Sequence, residues 1–413
     1  MRRRGFLAGF AVVSGLAPGL APHTARAAMR HREPPHHPEA HKPAGPAAPA
    51  EIATPGNSPL GPVDTVAKWA IAIDYQTGAT LFDKNADERM PPSSMTKLMT
   101  ATIVYGMLAS GRLKLDQTLP VSEKAWRMGG SKMFVPLGQQ VSVEDLIQGM
   151  IVQSGNDACI VLAEGVAGSE EQFVKLMNDK AHELGLTNTH FMNATGWPDP
   201  DHYMSARDIA AVARNLIRSF PQYYHYDSEK IFTYNNIKQE NRNPLVQKNL
   251  ADGLKTGHTE AGGYGLVASA ERGGRRVILV LNGMGTARDR GEEGARLLDW
   301  AFRNFENVTL FAAGQTVDRA KLWLGAQPDV ALVAAAPLLA TLPVGWRDKA
   351  RVAVRYQAPI PAPLAAGAVL GSVSVAYPGM TPVAVDLVAA NAVAPMALPQ
   401  RSMTVLTRWL RGG

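Results

Sequence analysis

The chain has 413 residues, of which 46% are hydrophobic and 19% charged. That balance excludes a disordered polymer, and the length accommodates two domains with tails. The formal charge of +6 invites an acidic partner, but Arg2, Arg3, Arg4 and Arg26 lie in an N-terminal segment that contains no acidic residue. Losing those four takes the charge from +6 to +2. No basic, aromatic-interleaved patch replaces them, so no nucleic-acid partner is expected.

Residues 1–27 combine a charged start, a short apolar stretch and the ending Ala25-Arg26-Ala27, the pattern of a cleaved export signal. Arg3-Arg4-Gly5-Phe6-Leu7 resembles the twin-arginine type. The apolar stretch is too short and too Gly-rich for a membrane span, so an exported, periplasmic location or the outer face of the cytoplasmic membrane is expected. Residues 28–64, rich in Pro, Ala and His, read as a spacer. His31, His36, His37 and His41 belong to that solvated segment, and neither a metal nor an organic cofactor is expected. Cys159 is the single cysteine. It excludes an intramolecular disulfide framework and reads as a buried, inert thiol on a helix.

A first domain is expected over 65–307. Ala67–Asp74 and Ala79–Asp83 form strands joined at Gln76-Thr77-Gly78. Pro91 and Pro92 block a helix upstream, so a helix starts at Ser94 and runs to Gly111, with Ser93 as its N-cap. Helices follow at Val143–Gln153, Asp157–Val166, Glu170–Leu184 and Ser205–Ser219. Gly253–Thr259, Tyr264–Glu271 and Arg275–Met284 are strands, the last two joined at Arg272-Gly273-Gly274, and Glu292–Phe305 is a helix. Two early strands, a helical block and three late strands predict one antiparallel sheet flanked by helices, an α/β (α+β) arrangement. From 308 to 395, short alternating runs broken by Gly and Pro predict a β-sandwich domain. In 396–413 a helix would gather Met403, Val405, Leu406, Trp409 and Leu410 on one face and Arg401, Thr404, Thr407, Arg408 and Arg411 on the other, which suits the inner-membrane surface.

Three motifs occur in order: Ser94-Met95-Thr96-Lys97, Ser154-Gly155-Asn156 and Lys255-Thr256-Gly257. Each is weak alone; the ordered set makes a serine acyl-transfer site with a lysine base. Ser94 and Lys97, three apart on a helix, share a face, and the helix N-terminus stabilises developing negative charge. Lys97 must lose its proton to act, which requires burial or cationic neighbours. Ser154 can relay a proton, and Asn156 can hold Lys97 and a substrate carbonyl. Lys255 and Thr256, on a strand at a sheet edge, suit a peptide carboxylate with the substrate added as a strand. Gly257 lets that ligand come close.

The segments Pro92–Thr100, Gln153–Cys159, Asp252–Thr259 and Leu266–Ala270 resemble, in wording and spacing, the low-molecular-mass penicillin-binding proteins that act as serine D-alanyl-D-alanine carboxypeptidases. The resemblance spans roughly residues 65–395. It implies a DD-peptidase/β-lactamase-like domain with a five-stranded antiparallel sheet, followed by a β-rich domain and a terminal amphipathic helix. It also implies that Ser94 is acylated, Lys97 is its base, Ser154 and Asn156 organise proton transfer, and Lys255 and Thr256 bind the terminal carboxylate. The backbone N–H groups of Ser94 and His258 would form the oxyanion hole. An arginine is implied just before the helix after the last core strand, which counting assigns to Arg290, with Arg288 as competitor. The implied partners are peptidoglycan stem peptides, and β-lactam antibiotics acylating the same serine. Two features depart from the family: the segment Ala125–Lys132 and the terminal helix are both short. A DD-endopeptidase uses the same machinery and stays open. A class A β-lactamase fits poorly, because Glu183 is followed by Leu184-Gly185-Leu186-Thr187 instead of a nearby Leu-Asn, and Ser-Gly-Asn stands where it has Ser-Asp-Asn. A catalytically silent scaffold is the reading from a different class.

Overall fold

The computed structural model describes residues 52–410; the expected export signal, the His-rich part of the spacer and the last three residues lie outside the described residues. In chain order the first strands are β1 (Thr54–Gly56), β2 (Val63–Thr65), β3 (Trp69–Asp74) and β4 (Thr80–Lys84). Helices α1 (Lys97–Ala109), α2 (Glu123–Arg127), α3 (Val143–Ile151), α4 (Asn156–Ala167), α5 (Glu170–Glu183) and α6 (Ala206–Ser219) follow, with a small strand pair β5 (Thr118–Pro120) and β6 (Gln140–Ser142) between them. A hairpin of β7 (Ile231–Tyr234) and β8 (Ile237–Glu240) and a short helix α7 (Pro244–Gln247) lead into β9 (Gly253–Thr259), β10 (Gly263–Arg272), β11 (Arg275–Met284) and α8 (Ala287–Asn304).

The central sheet has the order β4-β3-β11-β10-β9 and is antiparallel throughout, which leaves one edge of β9 unpaired among the described residues. Its strands read as near-continuous apolar runs because both faces are covered. On β11, Ile278 and Val280 face the core built with α1, α3, α4 and α6, while Val277, Leu279 and Leu281 face a second core with Leu297, Leu298 and Ala301 of α8. The period of two thus sorts one strand between two cores. Cys159 is wholly buried on α4, where burial pushes its thiol up to about 12, an inert state.

After α8 come β12 (Phe305–Phe311), β13 (Thr316–Trp323), β14 (Asp329–Ala334), β15 (Leu338–Pro343), β16 (Arg351–Tyr356), β17 (Ile360–Pro361), β18 (Val369–Ala376) and β19 (Val383–Ala389). They pair as a β12-β15 sheet and a six-stranded sheet β16-β18-β19-β14-β13-β17 around Leu332, Leu338, Val373 and Leu387. Helix α9 (Leu398–Leu410) ends the described chain.

Several sequence expectations need correction. The spacer does not reach residue 64, because Thr54–Gly56 already pairs with Val63–Thr65, and Asn57 and Asp83 exchange backbone hydrogen bonds of 2.7 and 2.9 Å. Ser93 caps nothing. The chain makes a 3-10 turn over Ser93–Thr96 whose N-cap is Pro92, and α1 starts at Lys97. Helix α8 begins at Ala287, five residues before the expected start, because Thr286 and Asp289 cap it reciprocally: Thr286 Oγ1 accepts from Asp289 N at 3.0 Å and donates to Asp289 Oδ2 at 2.6 Å. Arg290 therefore lies inside the first turn of that helix, not before it.

Candidate active site

Prolines 91 and 92 end the extended approach and force the tight turn that carries Ser94. Ser93 takes φ +46°, a left-handed conformation rare outside glycine. Its Oγ is buried without a partner among the described residues. Gly257 of β9 makes this packing possible: a Cβ there would overlap Ser93 Oγ and stand 3.3 Å from the Pro92 carbonyl oxygen. The space at Gly257 is thus taken by the protein's own turn, not by a ligand as the sequence suggested. Gly196, with φ +81°, meets the same turn from the other side, where a Cβ would overlap the Ser93 carbonyl.

Lys97 is fully buried. Its Nζ contacts Ser94 Oγ at 2.8 Å, Asn156 Oδ1 at 2.7 Å and the Thr195 carbonyl oxygen at 2.8 Å. Two of these partners only accept hydrogen bonds; the serine hydroxyl can also donate. As an ammonium Lys97 donates to all three; once neutral it keeps two N–H donors for Asn156 and Thr195 and turns its one lone pair to the Ser94 hydroxyl. Burial lowers the Lys97 pKa to about 8; Arg242 lowers it too, and Asp157 opposes the shift.

Asn156 is itself fixed by donating from Nδ2 to the Gly129 carbonyl at 2.8 Å, and its N–H donates to the Ser131 carbonyl at 2.7 Å. The short segment around residues 129–131 therefore holds the asparagine, and Gly130 and Ser131 line the cleft. Ser154 sits at the α3–α4 turn with φ +66°, buried, its Oγ without a partner among the described residues. Asp157 pins the adjoining wall by accepting from the N–H groups of Met133, Phe134 and Val135 at 2.9, 2.8 and 3.2 Å.

Beyond Thr256, cations collect. Lys255 is buried, and desolvation together with Lys97, Arg242 and Arg290 holds its pKa well below the usual lysine range. Burial likewise pulls Arg242 and Arg290 downward. Arg290 Cζ lies 5.6 Å from the centroid of Tyr264, which also stacks on the exposed His258 at 4.0 Å. Among the described residues, no carboxylate lies within ion-pair distance of Lys97, Arg242, Lys255 or Arg290. Uncompensated buried charge is costly, so this cluster is built for an anion. The two candidate arginines separate clearly: Arg288 is exposed and paired with Glu292 at 2.7 Å, while Arg290 joins the cluster.

The sequence missed Arg242, the Thr195 carbonyl and His202. Arg242 stands between Asn241 and Asn243, whose side chains shape the turn before α7, and that pattern signals a turn, not an anion site. Thr195 belongs to a loop organised by Asn193 Oδ1, which accepts from the N–H groups of Thr195, Gly196 and Trp197. His202 accepts from Met192 N at Nδ1, so its Nε2–H donates to Thr96 Oγ1 at 2.8 Å and braces the nucleophile turn.

Ser94, Asn156, Thr195 and His258 line one cleft of ≈ 650 Å³. A hydroxyl facing a buried amine, with a cation cluster behind, can transfer an acyl group from a substrate that ends in a carboxylate. Residues 56–286 match the family model described as D-alanyl-D-alanine carboxypeptidase, and 305–395 match that of the penicillin-binding protein 5 C-terminal domain. The D-alanyl-D-alanine carboxypeptidase DacC of Escherichia coli is 42% identical over 312 residues, 73% of this chain and 78% of the relative. DacA of Haemophilus influenzae is 40% identical, over 76% of this chain and 81% of its own. Penicillin-binding protein 5 from Haemophilus influenzae superposes with a TM-score of 0.71 at 38% identity, covering 79% of this chain and 97% of that one. The ampicillin-bound penicillin-binding protein D2 of Listeria monocytogenes superposes at 0.54 with 30% identity, over 58% of this chain and 98% of its own.

Proposed function

This chain belongs to the D-alanyl-D-alanine carboxypeptidase family, and on that premise we propose that it removes the terminal D-alanine from peptidoglycan stem pentapeptides through an acyl-enzyme on Ser94. The observation that carries this reading is the environment of Lys97 Nζ, whose two pure acceptors leave its lone pair for the Ser94 hydroxyl. Lys97 takes that proton as Ser94 Oγ attacks the carbonyl of the penultimate D-alanine. The resulting oxyanion is held by the backbone N–H groups of Ser94 and His258. Ser154 passes a proton to the leaving amine, with Asn156 keeping Lys97 in register. The departing carboxylate lies against Thr256 and the cluster of Lys255, Arg242 and Arg290. Water then hydrolyses the ester, and the enzyme needs no metal or organic cofactor. A β-lactam acylates the same serine, because its strained amide presents the same carbonyl and carboxylate.

The protein works outside the cytoplasm, in the periplasm or on the outer face of the cytoplasmic membrane, where its polymeric substrate lies; residues 1–27 supply the export signal. Helix α9 exposes Leu398, Met403, Val405 and Leu410, and these apolar side chains rest on the membrane surface. Among the described residues no helix is long and apolar enough to cross it. Incubation with a purified pentapeptide and with cross-linked muropeptides, resolved by mass, tests the reaction. Free D-alanine from the pentapeptide is expected; cleavage of cross-links alone would replace this reading by an endopeptidase.

A further inference from the structure

His202 lies outside the three motifs, and its two ring nitrogens reach two different parts of the site. Nδ1 accepts from Met192 N at 3.2 Å, and Nε2 lies 2.8 Å from Thr96 Oγ1. Because Nδ1 accepts, the one hydrogen of the neutral ring sits on Nε2 and points at Thr96. The residue is only 4% exposed, and burial is the chief cause that lowers its pKa to about 4, so the ring is uncharged at neutral pH.

Met192 and Thr96 belong to the two halves of the Lys97 site. Met192 opens the loop that supplies the Thr195 carbonyl, an acceptor of Lys97 Nζ. Thr96 stands between Ser94 and Lys97 in the 3-10 turn. The loop has its shape without His202: Asn193 Oδ1 gathers the N–H groups of Thr195, Gly196 and Trp197. Phe191 exchanges bonds of 2.9 Å with Asn178 of α5, and Thr100 of α1 donates to the Ala194 carbonyl at 2.7 Å. Loop and turn touch directly, since a Cβ on Gly196 would stand 2.8 Å from Thr96 Oγ1. Apart from Lys97 itself, His202 is the side chain that hydrogen-bonds to both.

We propose that His202 is a positioning residue for acyl transfer: its ring holds the loop and the nucleophile turn in one frame, so that the Thr195 carbonyl takes one N–H of Lys97 and the lone pair of Nζ stays aimed at Ser94 Oγ. It acts through Met192 and Thr96. An apolar side chain of similar size fills the same space but leaves Met192 N and Thr96 Oγ1 without these partners. A displacement of about 1 Å between reacting groups can cost on the order of 100-fold in rate. This inference deepens the acyl-transfer reading of Ser94 and Lys97 and rests on it.

The test follows acylation of the full chain by benzylpenicillin at neutral pH over a range of concentrations, which separates the limiting acylation rate from the half-saturating concentration. Three replacements divide the two bonds of the ring. His202→Gln can put its amide nitrogen where the ring has Nε2 and keep the donor to Thr96; His202→Asn can put its amide oxygen where the ring has Nδ1 and keep the acceptor for Met192; His202→Leu keeps neither. His202→Leu is expected to lower the limiting rate roughly 10- to 100-fold and to leave the half-saturating concentration unchanged, because the cations that receive the carboxylate are untouched. The Gln and Asn variants each recover part of the loss. Thr96→Val breaks the same bond from its other end and slows acylation in the same way, and in the double variant with His202→Leu the two losses do not multiply. A wild-type limiting rate in His202→Leu, a loss confined to the half-saturating concentration, or losses that multiply in the double variant overturn the positioning role. A wild-type rate in Thr96→Val overturns it too, so the role is tested even where His202→Leu does not fold. Failure of the wild type to be acylated at all instead removes the Ser94–Lys97 reading, and this inference with it.

Discussion

Lys97 must be buried enough to lose its proton, yet near enough to other charges for that proton to return. Its pKa, lowered to about 8 mainly by desolvation, puts the ammonium form in the majority at neutral pH. Because the base is the unprotonated amine, acylation should speed up as pH rises. The second-order rate constant for penicillin acylation is expected to climb roughly ten-fold per unit below pH 8 and to level off above it; a flat profile from pH 6 to 9 would contradict this. Arg242 is proposed to share the substrate carboxylate with Lys255 and Arg290. Arg242→Ala should lower kcat/KM for D-alanine release by roughly 10- to 100-fold, the worth of a hydrogen bond to a charged group at about 1.5–3 kcal/mol. A C-terminally amidated peptide, already poor, should lose far less. Equal losses on both peptides would mean that Arg242 acts on the fold instead. The three motifs were legible in the sequence because each is short and local. Arg242 and the Thr195 carbonyl were not, because they reach the lysines only through contacts between distant segments, and their own surroundings carry only turn signals.

Among the elements, the 3-10 turn over Ser93–Thr96 and strand β9 are fitted to each other. Ser93 is left-handed, and Gly257 is bare because Ser93 Oγ fills the place of a side chain. Gly257→Ala should therefore overpack the contact, costing about 1–3 kcal/mol of stability, and displace Ser94. The expected result is a lower melting temperature and slowed penicillin acylation. Adding Ser93→Gly should restore much of both, since it removes the clash and suits the positive φ. No recovery in the double variant would show that Gly257 is needed for another reason. The sequence reading placed the helices and core strands close to their observed spans, because caps and apolar periods are local signals. It fails where local preference yields to tertiary packing, as at Ser93, and where a capping pair is passed over, as at Thr286 and Asp289.

For the whole molecule, one sheet serves two cores and a second, β-rich domain. The domains meet around the β3–β4 turn: Thr77 Oγ1 lies 2.6 Å from Thr341 Oγ1, and Asn307 Nδ2 donates to Gln76 Oε1 at 3.1 Å. Beneath that turn Asp74 is fully buried and paired with Arg275 at 2.9 Å. The fold class was legible because strand and helix runs alternate in a readable order; the seating of one domain on the other was not, since it depends on small polar side chains with no spacing signal. The exposed apolar side chains of α9 carry the membrane proposal. Liposome sedimentation should decline when the chain is truncated after Ala397, and equal binding of the two forms would remove that proposal. Two adjacent serines could carry the acyl group, and only Ser94 touches Lys97. Peptide mapping by mass after incubation with benzylpenicillin decides between them: the adduct is expected on Ser94, present in Ser93→Ala and absent from Ser94→Ala. An adduct that survives Ser94→Ala would contradict the account.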